Sequence, residues 1–369
     1  MILVVIILAA LCLAYANGAN DNLKGVATLL GSGTTNYRGA VVWATVTTLL
    51  GSLTAVFLAG TLLKSFSGKG LVADHLVADP SYGAAVALGA GLTVLLATRL
   101  GMPISTTHSL VGALVGAGWA AGSTIDVARL GQGFFVPLLL SPPLAILATV
   151  ACYVMFRGAR RRLGVVEQTC FCVGKQVIET VPVLNNGAAF QRVEQLSVSL
   201  GDSVTCQNRY QGKLLGIEAA AVLDRLHYLS SGMVCYARGL NDTPKIAAVL
   251  LLAQLSGFGS TALVGLAIAA GGVFSARKVA ETMSQKITSM NHGQGFAANL
   301  VTGLIVIGAS RLGLPVSTTH VSCGSLFGIG AVTGQGHPSM IGKILGAWVI
   351  TLPVAAVWGA IGYWFLKQA

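Results

Sequence analysis

Eight residues recur almost unchanged in this 369-residue chain: Gly-Met-Pro-Ile-Ser-Thr-Thr-His at 101–108 and Gly-Leu-Pro-Val-Ser-Thr-Thr-His at 313–320. Proline suits the first turn of a helix, where a missing N–H costs nothing. Pro103 and Pro315 therefore predict helix starts, with Ser105, Thr106 and Thr107, and Ser317, Thr318 and Thr319, in the opening turn. Such a turn offers free backbone N–H groups, the positive end of the helix dipole and extra hydroxyl donors, which together bind anions. His108 and His320 follow within one turn and could donate or titrate. Arg99 and Arg311 precede the two motifs and are expected to stabilise the anion. One copy alone would read as ordinary helix capping by Ser and Thr. Two copies, each with an arginine beside it, favour two facing helix starts that enclose a tetrahedral oxyanion.

A second polar island is also doubled. Asn20-Asp21 lies near the start and Asn241-Asp242 past the middle, each with a glycine close by, Gly18 and Gly239. A carboxylate within a membrane segment is costly and marks function. Interrupted helices with carboxylate and amide oxygens suit a hard coupling cation such as sodium. The plainer reading is local pairing, because Lys24 and Lys245 each lie three residues after an Asp, one helical turn away. If Arg99, Arg311, Lys24, Lys245, Asp21 and Asp242 share one cavity, a dianion nearly balances them.

The elements that must position these residues are helices in a bilayer. The chain is 54% hydrophobic and only 9% charged, against about 25% charge in a soluble domain, so it cannot coat a water-facing surface. The expected class is an all-α polytopic membrane protein. The 47 glycines fit close helix packing in lipid. The opening Met1-Ile2-Leu3-Val4 lacks the basic region of a cleavable signal, so the first apolar segment is expected to span. The formal charge of +11 reads as loop topology rather than nucleic-acid binding, since Arg157, Arg160, Arg161 and Arg162 cluster just after an apolar segment.

Apolar segments run at about 2–31, 38–63, 83–99, 104–121 and 130–156, then at about 215–254, 259–276, 291–310, 315–332 and 340–366. Segments 83–99 and 104–121, like 291–310 and 315–332, are parted only by the tip motifs and read as re-entrant helical hairpins. Each half then makes three crossings, and an odd count inverts the second repeat relative to the first. The expected organisation is a first transmembrane repeat at 1–156, a small cytoplasmic insert or linker at 157–214 and a second repeat at 215–369, with both termini outside the cell membrane. Arg277, Lys278 and Lys286 fall in an inside loop on this count, which agrees with the charge rule. Glu281 in that loop is expected to cap a helix or balance Lys278. The insert alternates valines (177–183, 193–200) around the turn residues Asn185-Asn186-Gly187, so a β-rich piece is expected. Cys170, Cys172 and Cys206 lack a fourth ligand in view and are expected to be free thiols of a reducing cytosol, with no metal site and no cofactor.

These motifs resemble the inorganic phosphate transporter (PiT) family. The residues Ala16-Asn17-Gly18-Ala19-Asn20-Asp21 resemble its Gly-Ala-Asn-Asp signature, and the paired tips and the 277–288 stretch resemble it as well. The resemblance covers both halves and omits the insert. It implies a cation-coupled phosphate importer with inverted repeats, commonly a homodimer, driven by Na+ or H+. It further implies phosphate at Ser105, Thr106, Thr107, Ser317, Thr318 and Thr319, and coupling ions at Asn20, Asp21, Asn241 and Asp242. The family pattern continues from Asn-Asp into Val-Ala-Asn-Ala. Here Asn22-Leu23-Lys24 and Thr243-Pro244-Lys245 follow, and Arg238-Gly239-Leu240 precedes the second Asn. Lysine thus stands in place of the second asparagine. An ammonium at the seat of a sodium ion would favour proton coupling.

Three rival readings compete. A sulfate permease would use the same donors. An intramembrane hydrolase would need one nucleophile with an oriented base, not a symmetric pair. An anion channel would not need buried charges of opposite sign.

Overall fold

Several helices in this chain begin where a side chain satisfies one of their first free N–H groups. Asn36 accepts from the Gly39 N–H at 2.8 Å. Asp79 accepts from the Ser81 N–H beside Pro80. Asn291 and Gln294 form a reciprocal capping box. The computed structural model describes residues 2–166, 168–183, 189–209 and 214–368. The expected turn at Asn185-Asn186-Gly187 lies outside them.

Two compact units result: Met1–Tyr153 with His227–Ala369, and Val154–Leu226. The helices of the first half are α1 (Ile2–Asp21), α2 (Ala27–Gly31), α3 (Tyr37–Leu58), α4 (Gly60–Ser65), α5 (Asp74–Val77), α6 (Pro80–Arg99), α7 (Thr106–Ala120), α8 (Val127–Leu130) and α9 (Val136–Arg162). The middle holds β1 (Thr169–Val183), β2 (Ala189–Asp202), α10 (Ser203–Arg209) and β3 (Leu214–Glu218). The second half has α11 (Ala219–Leu250), α12 (Gly257–Ser275), α13 (Arg277–Glu281), α14 (His292–Arg311), α15 (Thr318–Thr333) and α16 (Pro338–Gln368).

Among the described residues, seven helical stretches are long and apolar enough to cross a membrane, including α6 and α14. Their hairpin partners α7 and α15 have only 15 and 16 residues. The halves interlock. α12 of the second half packs on α1 and α3, and α16 packs on α6 and α7. The contacts are backbone to backbone: a Cβ on Gly18 would strike the Ile268 carbonyl, and one on Gly239 the Thr48 carbonyl.

One expectation about helix breaks is corrected. α1 ends at Asp21 and the chain turns before α2, as an interrupted helix should. α11 instead runs unbroken through Asn241 and Asp242, with Pro244 inside it. Proline withholds only one N–H from the ladder, so the helix loses a bond without unwinding. The expected β-rich insert is present: in the second unit β2, β1 and β3 form an antiparallel sheet in that order. Glu281 pairs with Arg277 at 3.0 Å rather than with Lys278, whose ammonium donates to the Arg99 carbonyl at 3.2 Å.

Candidate functional site: two ammonium cages at the hairpin tips

Both tips are built alike. α6 ends in a turn at Gly101 and α14 in one at Gly313, with φ of 70° and 71°, a backbone that favours glycine. The Met102 N–H bonds back to the Ala97 carbonyl, and Leu314 N–H to Ala309. The chain then runs to Ser105 and Ser317, whose hydroxyls accept the N–H of His108 and His320 at 3.1 and 3.2 Å. The two serines are thus helix caps. The hydroxyls of Thr106, Thr107, Thr318 and Thr319 are left for other partners.

The lysines take two of those hydroxyls, and they do so across the halves. Lys24 Nζ donates to Asp21 Oδ1 (2.5 Å), Asn20 Oδ1 (2.9 Å), the Ile104 carbonyl (3.0 Å) and Thr319 Oγ1 (2.5 Å). Lys245 Nζ donates to Thr107 Oγ1 (2.8 Å), the Val316 carbonyl (2.9 Å) and Asp242 Oδ1 (3.3 Å). Each ammonium ties the carbonyl of its own half's tip to the threonine of the opposite tip. An ammonium has three protons, yet four oxygens crowd Lys24, an arrangement that resembles the shell of a hard cation.

The asparagines orient these cages. Asn20 Nδ2 donates to Thr98 Oγ1 (2.9 Å) and the Met102 carbonyl (3.0 Å), while Asn20 Oδ1 also accepts the Ile104 N–H. Asn241 Oδ1 accepts from Ser310 Oγ at 3.2 Å, and its amide donates to the Val316 carbonyl at 3.3 Å. Thr106 and Thr318 donate to the second oxygens of Asp21 and Asp242 at 3.4 and 3.5 Å.

A third cation enters that the sequence reading did not assign. Arg238, 2 % exposed, donates to Asn17 Oδ1 (3.0 Å) and Asn22 Oδ1 (3.1 Å). Asn17 Nδ2 in turn reaches Thr106 Oγ1 (3.0 Å), Asp242 Oδ2 (3.2 Å) and Asp21 Oδ2 (3.3 Å). Asn17 and Arg238 are 221 residues apart, the same offset that separates Asp21 from Asp242. They are the corresponding residues of the two islands, and aligning the islands on Asn-Asp would have exposed the pair.

Arg99 and Arg311 correct the expectation in the other direction. Both are exposed, on the last turns of α6 and α14. The glycine turn reverses the chain between each arginine and its tip, so neighbours in sequence part in space. At a helix C-terminus they complement the macrodipole. The buried core therefore holds three cations, Lys24, Arg238 and Lys245, against two carboxylates, Asp21 and Asp242.

His108 and His320 meet edge to face at 4.5 Å, and His320 stacks on Trp348 at 3.9 Å. His320 Nδ1 lies 3.2 Å from the Leu138 carbonyl. His108 Nδ1 and His320 Nε2 have no hydrogen-bond partner among the described residues. Trp348 of α16 also donates to the Pro103 carbonyl at 3.2 Å, which anchors the first tip.

Residues 17–359 match the phosphate transporter family. A protein of Pyrococcus abyssi that carries the name phosphate permease is 28% identical, with 97% of this chain and 96% of that protein covered. A Bacillus subtilis protein named as a probable low-affinity inorganic phosphate transporter is 27% identical over 99% of this chain and 97% of its own. The fold is similar to that of a structure titled the sodium-dependent phosphate transporter, at a TM-score of 0.63 and 20% identity, covering 100% of this chain and 99% of the other. These matches are to transporters and not to enzymes, which removes the hydrolase reading. With islands, tips and whole-chain match in agreement, this multi-pass membrane protein belongs to the phosphate transporter family.

Proposed function

We propose that the protein imports inorganic phosphate by alternating access and selects the dihydrogen monoanion. The observation that carries this reading is the buried charge count at the tips. Three cations against two carboxylates leave one positive charge, counting the imidazoles as neutral, and a monoanion neutralises it. The hydroxyls of Thr106, Thr107, Thr318 and Thr319, on leaving the lysine and aspartate partners they now hold, and the first-turn N–H groups of α7 and α15 supply donors for its oxygens. Asp21 and Asp242 supply acceptors for its two protons, which sulfate lacks. Sulfate would also bring a second negative charge into a site already balanced by one.

The same reading makes protons the coupling ion. Lys24 and Lys245 are tethered cations in oxygen cages, so a sodium ion gains nothing by entering there. Each dihydrogen phosphate carries its own proton inward, which couples uptake to a pH gradient. The hairpins α6–α7 and α14–α15 act as re-entrant gates of an inverted repeat, and breaking the ammonium ties between them opens one side at a time. A homodimer in the cell membrane, with termini outside and the 157–214 insert in the cytoplasm, completes the proposal. The Arg160, Arg161 and Arg162 run at the end of α9 supports that orientation.

The test is radiolabelled phosphate uptake into proteoliposomes, with sodium and proton gradients imposed separately and excess sulfate as competitor. Uptake driven by a proton gradient alone and indifferent to sulfate is expected. Uptake that needs sodium would overturn the coupling assignment. Sulfate accumulation without phosphate uptake would overturn the substrate. Flux that fails to saturate would identify a channel.

A further inference from the structure

The second unit contains three cysteines that the transport reading leaves unused. Cys170 and Cys172 stand two apart on β1 and so share one face of the sheet. Cys206 lies on α10. All three are buried, at 2 %, 0 % and 1 % exposure, and they form a buried cluster by themselves. Cys172 and Cys206 are joined as a disulfide, which corrects the expectation of free thiols, and Cys170 is free. The three sulfur atoms all lie within 4.8 Å of one another.

Two small residues of β2 pair with the cysteines of β1. The β2 residue opposite Cys170 is Gly201, and the one opposite Cys172 is Ser199. A Cβ at Gly201 would lie 3.6 Å from Cys206 Sγ, in ordinary van der Waals contact, so this position of β2 borders the cluster. A second contact besides the disulfide helps to place Cys206. Asp202 accepts from the Thr205 N–H at 2.6 Å and from its hydroxyl at 2.9 Å, which fixes the start of α10 one turn before Cys206.

We infer that Cys170, Cys172 and Cys206 form a trigonal thiolate site for a soft, thiophilic ion, cuprous copper by preference, when the disulfide is reduced. Metal–sulfur bonds of about 2.3 Å place three trigonal sulfurs about 4.0 Å apart. Reduction of the bridge lets Cys172 and Cys206 part to that spacing, and Cys170 Sγ, within 4.8 Å of both, needs only a small shift to join them. Soft thiolate ligands select Cu(I), and among the described residues no histidine, aspartate or glutamate ligand atom lies within 4.8 Å of all three sulfurs. A three-ligand set of this kind suits an ion content with three-coordination better than zinc, which takes four ligands.

The site also answers a structural need. A unit spanning Val154–Leu226 is at the size, roughly 70–80 residues, where a core alone rarely suffices and a disulfide or metal is added. Disulfides do not persist in reducing compartments. There the bridge takes two electrons and two protons from a thiol reductant, giving two thiols. The ion then displaces the thiol protons and holds α10 to the sheet in place of the bridge.

The full-length protein in detergent is reduced with a phosphine and titrated anaerobically with Cu(I) against a competing chelator. Reduced wild type is expected to bind one more ion per chain than Cys206→Ser, and oxidised wild type no more than that variant. The variant C170S retains the Cys172 and Cys206 thiols and keeps the test readable if C206S misfolds. It should bind at least tenfold more weakly than wild type. Equal binding by wild type and C170S would overturn the three-sulfur site. Equal binding by reduced wild type and C206S would overturn the site altogether. Zinc retained in preference to copper at equal concentration would overturn the trigonal assignment.

Discussion

The Lys24 ammonium donates to the hydroxyl of Thr319 at 2.5 Å, although 295 residues separate them. Its counterpart, Lys245, donates to Thr107 at 2.8 Å. The two contacts cross, so the halves are clasped twice by charge-assisted hydrogen bonds at the point where the substrate is proposed to sit. Such bonds are worth about 1.5–3 kcal/mol each. They are strong enough to hold a closed state and weak enough for an anion to replace them.

The substitution Lys24→Asn restores an amide where the ammonium stood. Phosphate uptake in proteoliposomes should become sodium-stimulated in this variant while wild type stays indifferent to sodium. Uptake that is equally sodium-independent in both would show that the ammonium does not stand in for an ion.

Asp21→Asn leaves the Lys24 charge buried without its carboxylate. Removing one partner of a buried pair costs about 3–5 kcal/mol. The variant should melt well below wild type in detergent, as read by intrinsic fluorescence. The double change with Lys24→Met should recover most of the loss. A double variant no more stable than Asp21→Asn would argue against the pairing.

Arg238 and the tip arginines separate cleanly. Arg238→Met removes a buried cation from the core and should raise the KM for phosphate at least tenfold, equivalent to about 1.4 kcal/mol. Arg99→Gln and Arg311→Gln alter exposed side chains and should change it less than threefold. The opposite ranking would return the arginines at the tips to the site.

Thr107→Val and Thr319→Val delete the hydroxyls that the ammoniums hold. Each should lower kcat/KM by roughly tenfold to a hundredfold, the value of a hydrogen bond to a charged group. Ser105→Ala should act mainly on stability, by about 1 kcal/mol, because its hydroxyl caps α7.

Uptake should follow the dihydrogen form of phosphate. Raising the external pH through neutrality converts the monoanion to the dianion. At fixed total phosphate the initial rate should then fall, while the KM expressed as monoanion stays constant. A rate that rises with pH would point to the dianion and to a core with more positive charge than three cations and two carboxylates provide.

The parts of this site that were legible in the sequence are those set by local geometry. Asp21 with Lys24, and Asp242 with Lys245, are pairs three residues apart, which a helical turn brings together wherever it lies. Ser105 and Ser317 were expected as phosphate ligands, with capping the plainer alternative, and their hydroxyls accept the N–H of His108 and His320 as caps do. Arg238 was not legible from its own neighbourhood, because its partners Asn17, Asn22 and Thr48 belong to the other half. Arg99 and Arg311 misled because adjacency along the chain fails across a glycine turn. The cysteine cluster was hidden by strand register: only the pairing that sets Gly201 beside Cys170 brings α10 back over β1. The continuity of α11 was equally invisible, since an Asn-Asp island with a glycine close by suggests a break, yet the helix runs through it.

The cover of the first hairpin comes from the last helix. α16 lies against both α6 and α7, with Gly112 and Gly116 set against the carbonyls of Leu352 and Ala356. During synthesis the hairpin that begins at Pro80 must therefore wait in the bilayer until residues beyond 338 leave the ribosome. Until then α1 already packs on α6, but the small-residue face that α16 covers meets only lipid. A chain cut short before α16 should be recognised by membrane quality control as unfinished, even with every residue of both ammonium cages already made.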